Sequence, residues 1–101
     1  MPAIAVCTVD KISTGHACSG TAQIQGSLQT KVSINGNPVA VRGDAIAPHT
    51  IKAGSSCVPH SSVINAGSSK VFIGGIPVAR IGDSADFGVI ISGSSNCYAG
   101  G

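Results

Sequence analysis

The chain has no glutamate, no tryptophan and only three aromatic residues, Phe72, Phe87 and Tyr98. Without glutamate there can be no His-Glu-x-x-His zinc-hydrolase motif. A Gly-x-Ser-x-Gly nucleophile elbow and a Gly-x-x-x-x-Gly-Lys phosphate loop are also missing, so catalysis is not expected. Charged side chains make up 10% of the sequence and the net charge is +2. Its cations, Lys11, Lys31, Arg42, Lys52, Lys70 and Arg80, are scattered along the chain. No basic stripe can track a phosphate backbone, which excludes nucleic acid as a partner. A basic leader followed by an apolar run is lacking at the start, and no stretch reaches the roughly 18 apolar residues of a membrane span. The product is expected to be made soluble in a cytoplasm. With nothing after Gly101 in the sequence, a fused toxin is not expected.

At 101 residues and 9.9 kDa the chain fits one domain, residues 1–101, with a modest core that needs outside help. Val, Ile, Ala, Gly and Ser dominate, a composition of short strands and tight turns. An internal repeat governs the rest. The segment Lys31-Val32-Ser33-Ile34-Asn35-Gly36-Asn37-Pro38-Val39-Ala40-Val41-Arg42-Gly43-Asp44 matches Lys70-Val71-Phe72-Ile73-Gly74-Gly75-Ile76-Pro77-Val78-Ala79-Arg80-Ile81-Gly82-Asp83 at nine of fourteen positions. Each copy alternates apolar residues up to Asn35-Gly36 or Gly74-Gly75, dipeptides that accept positive φ in a two-residue hairpin turn, and a proline opens the return strand. A third copy begins at Gly93-Ser94 and stops at its turn, Gly100-Gly101. Its second half is matched at the other end of the chain, where Pro2-Ala3-Ile4-Ala5 leads to Asp10. The fold class expected is all-β: a small conical domain of three pseudo-three-fold β-hairpin repeats, the third completed by pairing of the N- and C-termini. Asp10, Asp44 and Asp83 recur as repeat positions, which marks them as turn formers. Arg42-Gly43-Asp44 spells an adhesion tripeptide, but its Gly-Asp belongs to the repeat.

Over essentially its whole length the sequence resembles the PAAR-repeat family, named for a Pro-Ala-Ala-Arg motif. Pro77-Val78-Ala79-Arg80-Ile81-Gly82-Asp83 is close to the family form. Pro38-Val39-Ala40-Val41-Arg42-Gly43-Asp44 is a looser copy with arginine one place late, and Ser13-Thr14-Gly15-His16 is similar to an early His-bearing loop. The resemblance implies a cone that caps a trimeric β-helical spike, one copy per trimer, and makes transient contact with a target envelope. That role places it at a phage virion tail tip, made in the host cytoplasm, or on the spike of a type VI secretion apparatus. The family form also implies a zinc ion held through three histidines and one cysteine. Two departures stand out: valine for alanine in both internal motifs, and Phe87 where a late cysteine is expected.

The three histidines, His16, His49 and His60, lie between hairpin modules, in segments that can converge at one end of a cone. Cys57-Val58-Pro59-His60 has the Cys-x-x-His spacing of a zinc chelate. The expected ligand set is His16, His49, Cys57 and His60, with Cys18 as the alternative fourth ligand and iron as the less favoured ion. Metal ligation or buried thiols are placed ahead of a disulfide framework for the four cysteines, there being no secretion signal. Cys7 and Cys97 fall in paired terminal segments, as small buried hydrophobes or as a bridge between the ends. A free-standing metal-binding module and a zinc hydrolase are the rival readings.

Overall fold

A computed structural model describes residues 2–16 and 18–100. Among the described residues ten strands form five antiparallel pairs: β1 (Lys11–Ser13) with β2 (Thr21–Gln23), β3 (Ser33–Ile34) with β4 (Asn37–Pro38), β5 (Ala45–Ala53) with β6 (Ser56–Val63), β7 (Phe72–Ile73) with β8 (Ile76–Pro77), and β9 (Ser84–Ala85) with β10 (Gly88–Val89). The molecule has one long axis and two equal short ones, 42 × 23 × 23 Å. The turns come where the dipeptides require them: Asn35 and Gly36 have φ of 53° and 86°, Gly74 and Gly75 of 58° and 82°.

Three copies of one motif close on each other around an axis. The Ala5 N–H donates to Ala79 O at 3.0 Å, Ala79 N–H to Ala40 O at 2.9 Å, and Ala40 N–H to Ala5 O at 3.0 Å, a ring of three hydrogen bonds that returns to its start. All three alanines are fully buried. Three backbones meeting at an axis leave room for a methyl and little else, which explains alanine at this point in every copy. Bridges Val6↔Val39, Val41↔Val78 and Ile4↔Arg80 flank the ring.

Moving along the axis, the N–H groups of Val6, Val41 and Arg80 donate to the Oδ2 atoms of Asp10, Asp44 and Asp83, each at 2.8 Å. These aspartates, buried themselves, satisfy main-chain donors that no strand partner reaches. They do more than form turns. Asp44, wholly buried, is out of reach of any adhesion receptor. Ile24, Ile64 and Ile90 then donate to the carbonyls of Asp10, Asp44 and Asp83 at 2.9, 3.0 and 3.0 Å. Their side chains form the core with Ile12, Ile46 and Ala85.

At the base, Val39 donates to Val32 O, Val78 to Val71 O, and Ile4 to Cys97 O, at 3.0, 3.0 and 2.9 Å. The third hairpin is therefore built from the two chain ends, as its split copy requires. Its register differs by one residue from the sequence match. Ala3, which bridges Tyr98, holds the place of Pro38 and Pro77, which pair with Ser33 and Phe72; Pro2 lies one position earlier. An extra residue, Val9, puts Asp10 seven positions after Ala3, where Asp44 and Asp83 follow Pro38 and Pro77 by six, and Thr8 takes the positive φ (68°) that Gly43 and Gly82 adopt in the other copies. Arg42 is likewise not the counterpart of Arg80. That place is held by Val41 and Val6, and Arg42 is exposed.

Candidate metal centre

Each of the three modules sends out one connection beyond the core. The first sends the β1–β2 loop with His16 and Cys18, the second the long β5–β6 hairpin with His49 and His60, and the third the β9–β10 turn with Asp86. His49 and His60 are direct cross-strand partners. These two histidines thus stand on strands and not in loops, which fixes their spacing more firmly than the sequence reading assumed.

The three imidazoles and the Asp86 carboxylate meet, with one ligating atom from each lying within 4.8 Å of all the others. Asp86 Oδ2 is 2.9 Å from His16 Nε2 and 2.7 Å from His49 Nε2, and Oδ1 is 3.3 Å from His60 Nε2. The ring centroids of the histidines are 5.0 to 5.5 Å apart. The Asp86 side chain is only 3% exposed and that of His60, on the outer side, 25%.

Local chemistry holds the constellation in place. His16 N–H donates to Thr14 Oγ1 at 3.1 Å, and Phe87 N–H to Thr14 O at 3.2 Å, which joins the His16 loop to the Asp86 turn. The close approach depends on two glycines: a Cβ on Gly15 (φ +76°) would sit 2.6 Å from Phe87 O, and one on Gly88 1.8 Å from Ser13 O. Asp86 itself adopts φ 55°, a left-handed conformation that aspartate tolerates better than most residues. Asn65 Nδ2 donates to Asp86 O at 3.0 Å. The Phe87 ring stands edge-on to His16 at 5.3 Å and is otherwise exposed.

The donor set fits a cation. His49 Nδ1 lies 3.0 Å from Ala47 O, where only an N–H can satisfy the contact, so in the neutral ring Nε2 presents its lone pair to Asp86 Oδ2. Two acceptors at 2.7 Å need a proton or a metal ion between them. A tetrahedral ion with bonds of about 2.0 Å spaces its ligand atoms about 3.3 Å apart; the carboxylate–imidazole separations of 2.7, 2.9 and 3.3 Å come near that, and the whole set lies within 4.8 Å. Burial is the largest influence on the Asp86 carboxyl and pushes its pKa up. With a proton on the ring nitrogens instead of a metal ion, the hydrogen bonds from His49 and His60 and the charge of His16 outweigh it and hold the group below the usual carboxylate range.

The cysteines depart from expectation. Cys57, expected as fourth ligand, is joined to the alternative candidate Cys18 by a disulfide, with Cα atoms 6.0 Å apart. A sulfur committed to a disulfide is no thiolate donor, and the side chain that converges with the three histidines is the carboxylate of Asp86. Placing thiols ahead of disulfides is corrected by the same bond. Cys7 and Cys97 are both free, Cys7 buried, so the chain ends are held by backbone pairing with no bridge. Asp86 was missed although a signal existed. Of the four acidic residues, three occupy the repeated Gly-Asp position or its counterpart, and Asp86 is the one the repeat does not explain.

The family model for the PAAR motif matches residues 14–92, which takes in all four converging side chains. No curated protein matches the chain.

Proposed function

The chain belongs to the PAAR-motif family, a family of structural tip proteins, and we propose that it caps the blunt end of a trimeric β-helical spike in a contractile phage tail or the related type VI apparatus. The observation that carries this reading is the closed ring of Ala5, Ala79 and Ala40. One chain with three equivalent backbone copies around an axis is suited to matching a three-fold partner, which a single asymmetric domain cannot do. Its base has three hairpin ends with exposed apolar side chains, among them Val32, Val71, Phe72 and Tyr98. Such a base would cover strand edges that a bare trimer end leaves open.

The opposite connections converge on His16, His49, His60 and Asp86, which would hold one structural ion, zinc in the first place. A closed coordination sphere stiffens a point that has no large core behind it, and it leaves the ion no chemistry beyond holding the three modules together. The chain acts mechanically, at the tip of a machine that crosses a target envelope.

Mixing the purified chain with a trimeric spike fragment and measuring the mass of the complex by light scattering tests the assignment. One copy per trimer is expected. Three copies, or no complex, would overturn it.

A further inference from the structure

The Cys18–Cys57 disulfide sits beside the candidate metal centre and not in the hydrophobic core. Cys18 is two residues past His16 and Cys57 three residues before His60, so the bond joins the two segments that carry these histidines. Next to it Ser19 Oγ lies 2.8 Å from Thr50 Oγ1 and accepts the Thr50 N–H at 3.2 Å, and nearer the core the same two modules are joined by the Ile24↔Ile46 bridge. Cys57 is exposed, near the end of the β5–β6 hairpin, where residues 52–57 all face solvent. The bond is thus open to a reductant, whereas the Cys7 thiol is buried.

We propose that this disulfide is a redox-controlled staple for the metal centre: closed, it keeps His16 on the β5–β6 hairpin and slows loss of the ion; open, it lets the His16 segment part from that hairpin. The inference rests on the reading of the four side chains as a metal site. The other anchors of the His16 loop, Phe87 N–H to Thr14 O among them, tie it to the β9–β10 turn and not to the β5–β6 hairpin, and Asp86 draws on that third module, so an ion that loses His16 keeps ligands on only two of the three modules. Holding a ligand loop by a covalent link raises its effective concentration at the ion without any new contact. In a reducing cytoplasm small-molecule thiols would hold the staple open by exchange; in an oxidising compartment a small-molecule disulfide would take the two electrons and two protons of the Cys18 and Cys57 thiols, leaving as two thiols as the staple closes.

Zinc release into a chromogenic chelator, followed for the oxidised chain and for the same chain reduced with tris(2-carboxyethyl)phosphine, tests the proposal. In the reduction the phosphine gives two electrons to the S–S bond. It leaves as the phosphine oxide with oxygen from water, and two thiols form with protons from that water. Release from the reduced chain is expected to be about tenfold faster. Cys18→Ser/Cys57→Ser should release zinc at the fast rate whether or not phosphine is present. Equal rates from zinc-loaded oxidised and reduced chain would overturn the staple and leave the metal site standing. An oxidised chain that takes up no zinc would overturn the metal reading, and the staple with it. If the double variant does not fold, the two redox states of the parent chain still decide the question.

Discussion

His49 and Asp86 are 37 residues apart in the chain and belong to different modules, yet His49 Nε2 and Asp86 Oδ2 lie 2.7 Å from each other. The contact makes Asp86 the partner that all three histidines share, and it replaces sulfur by oxygen in the donor set. Protein purified without added metal should contain about one equivalent of zinc. Its cobalt-substituted form should show no thiolate-to-metal charge-transfer band, whereas Asp86→Cys should acquire one. A band in the parent chain would mean that a cysteine, not Asp86, completes the site.

Removal of a ligand should cost more than an ordinary surface substitution, because binding of a structural ion is itself folding free energy. His16→Ala, His49→Ala and His60→Ala should each destabilise the zinc-loaded chain by about 3 to 5 kcal/mol in denaturant unfolding. After chelation the three variants should unfold close to the metal-free parent. Equal losses with and without metal would assign the histidines to packing alone.

The two free thiols should differ sharply. Burial pushes the Cys7 thiol up to about 12, and the charge of Asp44 and the hydrogen bond to it, with Sγ 3.6 Å from Oδ2, act in the same direction. In the native chain near pH 8 iodoacetamide should label Cys97 and spare Cys7. A thiol raised on folding keeps its proton in the native state while the unfolded chain loses it. Its contribution to stability is therefore intact below about pH 9 and declines as pH rises from there towards 12. Comparison with Cys7→Ala, which has no such group, should isolate a decline of a few kcal/mol across that window.

The fold was legible because the repeat carries its own geometry. Asn35-Gly36 and Gly74-Gly75 specify turns, and a copy split between Gly93 and Pro2 can be completed only by joining the ends. What the repeat did not carry was read less well. The register at the N-terminus slipped by one because Pro2 drew the match to itself, while Ala3 holds the strand position of Pro38 and Pro77. The histidines could be found as a residue type with few structural uses in so small a chain. Which side chain joined them depended on whether Cys57 met His60 or Cys18, and spacing along one strand does not tell which neighbour lies across the seam. Asp86 owes its position to a two-residue turn closed by Gly88, and nothing local to that turn points to the distant histidines.

Arg80 stands where the other two copies place valine, and its guanidinium is spent on the chain end. Nε and Nη2 donate to the Asp83 carboxylate at 3.0 and 2.9 Å, and Nη1 donates to Gly100 O at 3.0 Å. In the other copies the second carboxylate oxygen has a neutral donor, the Ser92 hydroxyl on Asp10 Oδ1 and the Leu28 N–H on Asp44 Oδ1, whereas on Asp83 Oδ1 that donor is Arg80. Arg80→Val removes these bonds and leaves a buried carboxylate short of a donor, and is expected to cost about 3 to 5 kcal/mol. Hydrogen exchange at the Ala99 and Ile4 amides should accelerate while Val39 and Val78 stay protected. Uniform acceleration at all four would mean that Arg80 supports the whole core and not the terminal strand pair.

The terminal pair also decides whether the base is three-fold. Ile4 N–H donates to Cys97 O, Ser94 N–H to Ile4 O and Ala99 N–H to Pro2 O, at 2.9, 2.7 and 3.0 Å; removing residues 94–101 deletes all three bonds. The Ala5–Ala40–Ala79 ring and the metal-side connections lie outside the deleted segment, so the shortened chain should still bind zinc, though it should melt at a lower temperature. Its base, however, would offer two hairpins and one bare strand to a partner with three equal corners. Binding to a trimeric spike fragment should then fall below detection in a co-sedimentation assay in which the full chain binds one copy per trimer. Zinc content distinguishes this outcome from simple unfolding. A shortened chain that keeps its zinc and still binds the trimer would show that two corners suffice, and the three-fold match would no longer be what attaches the tip.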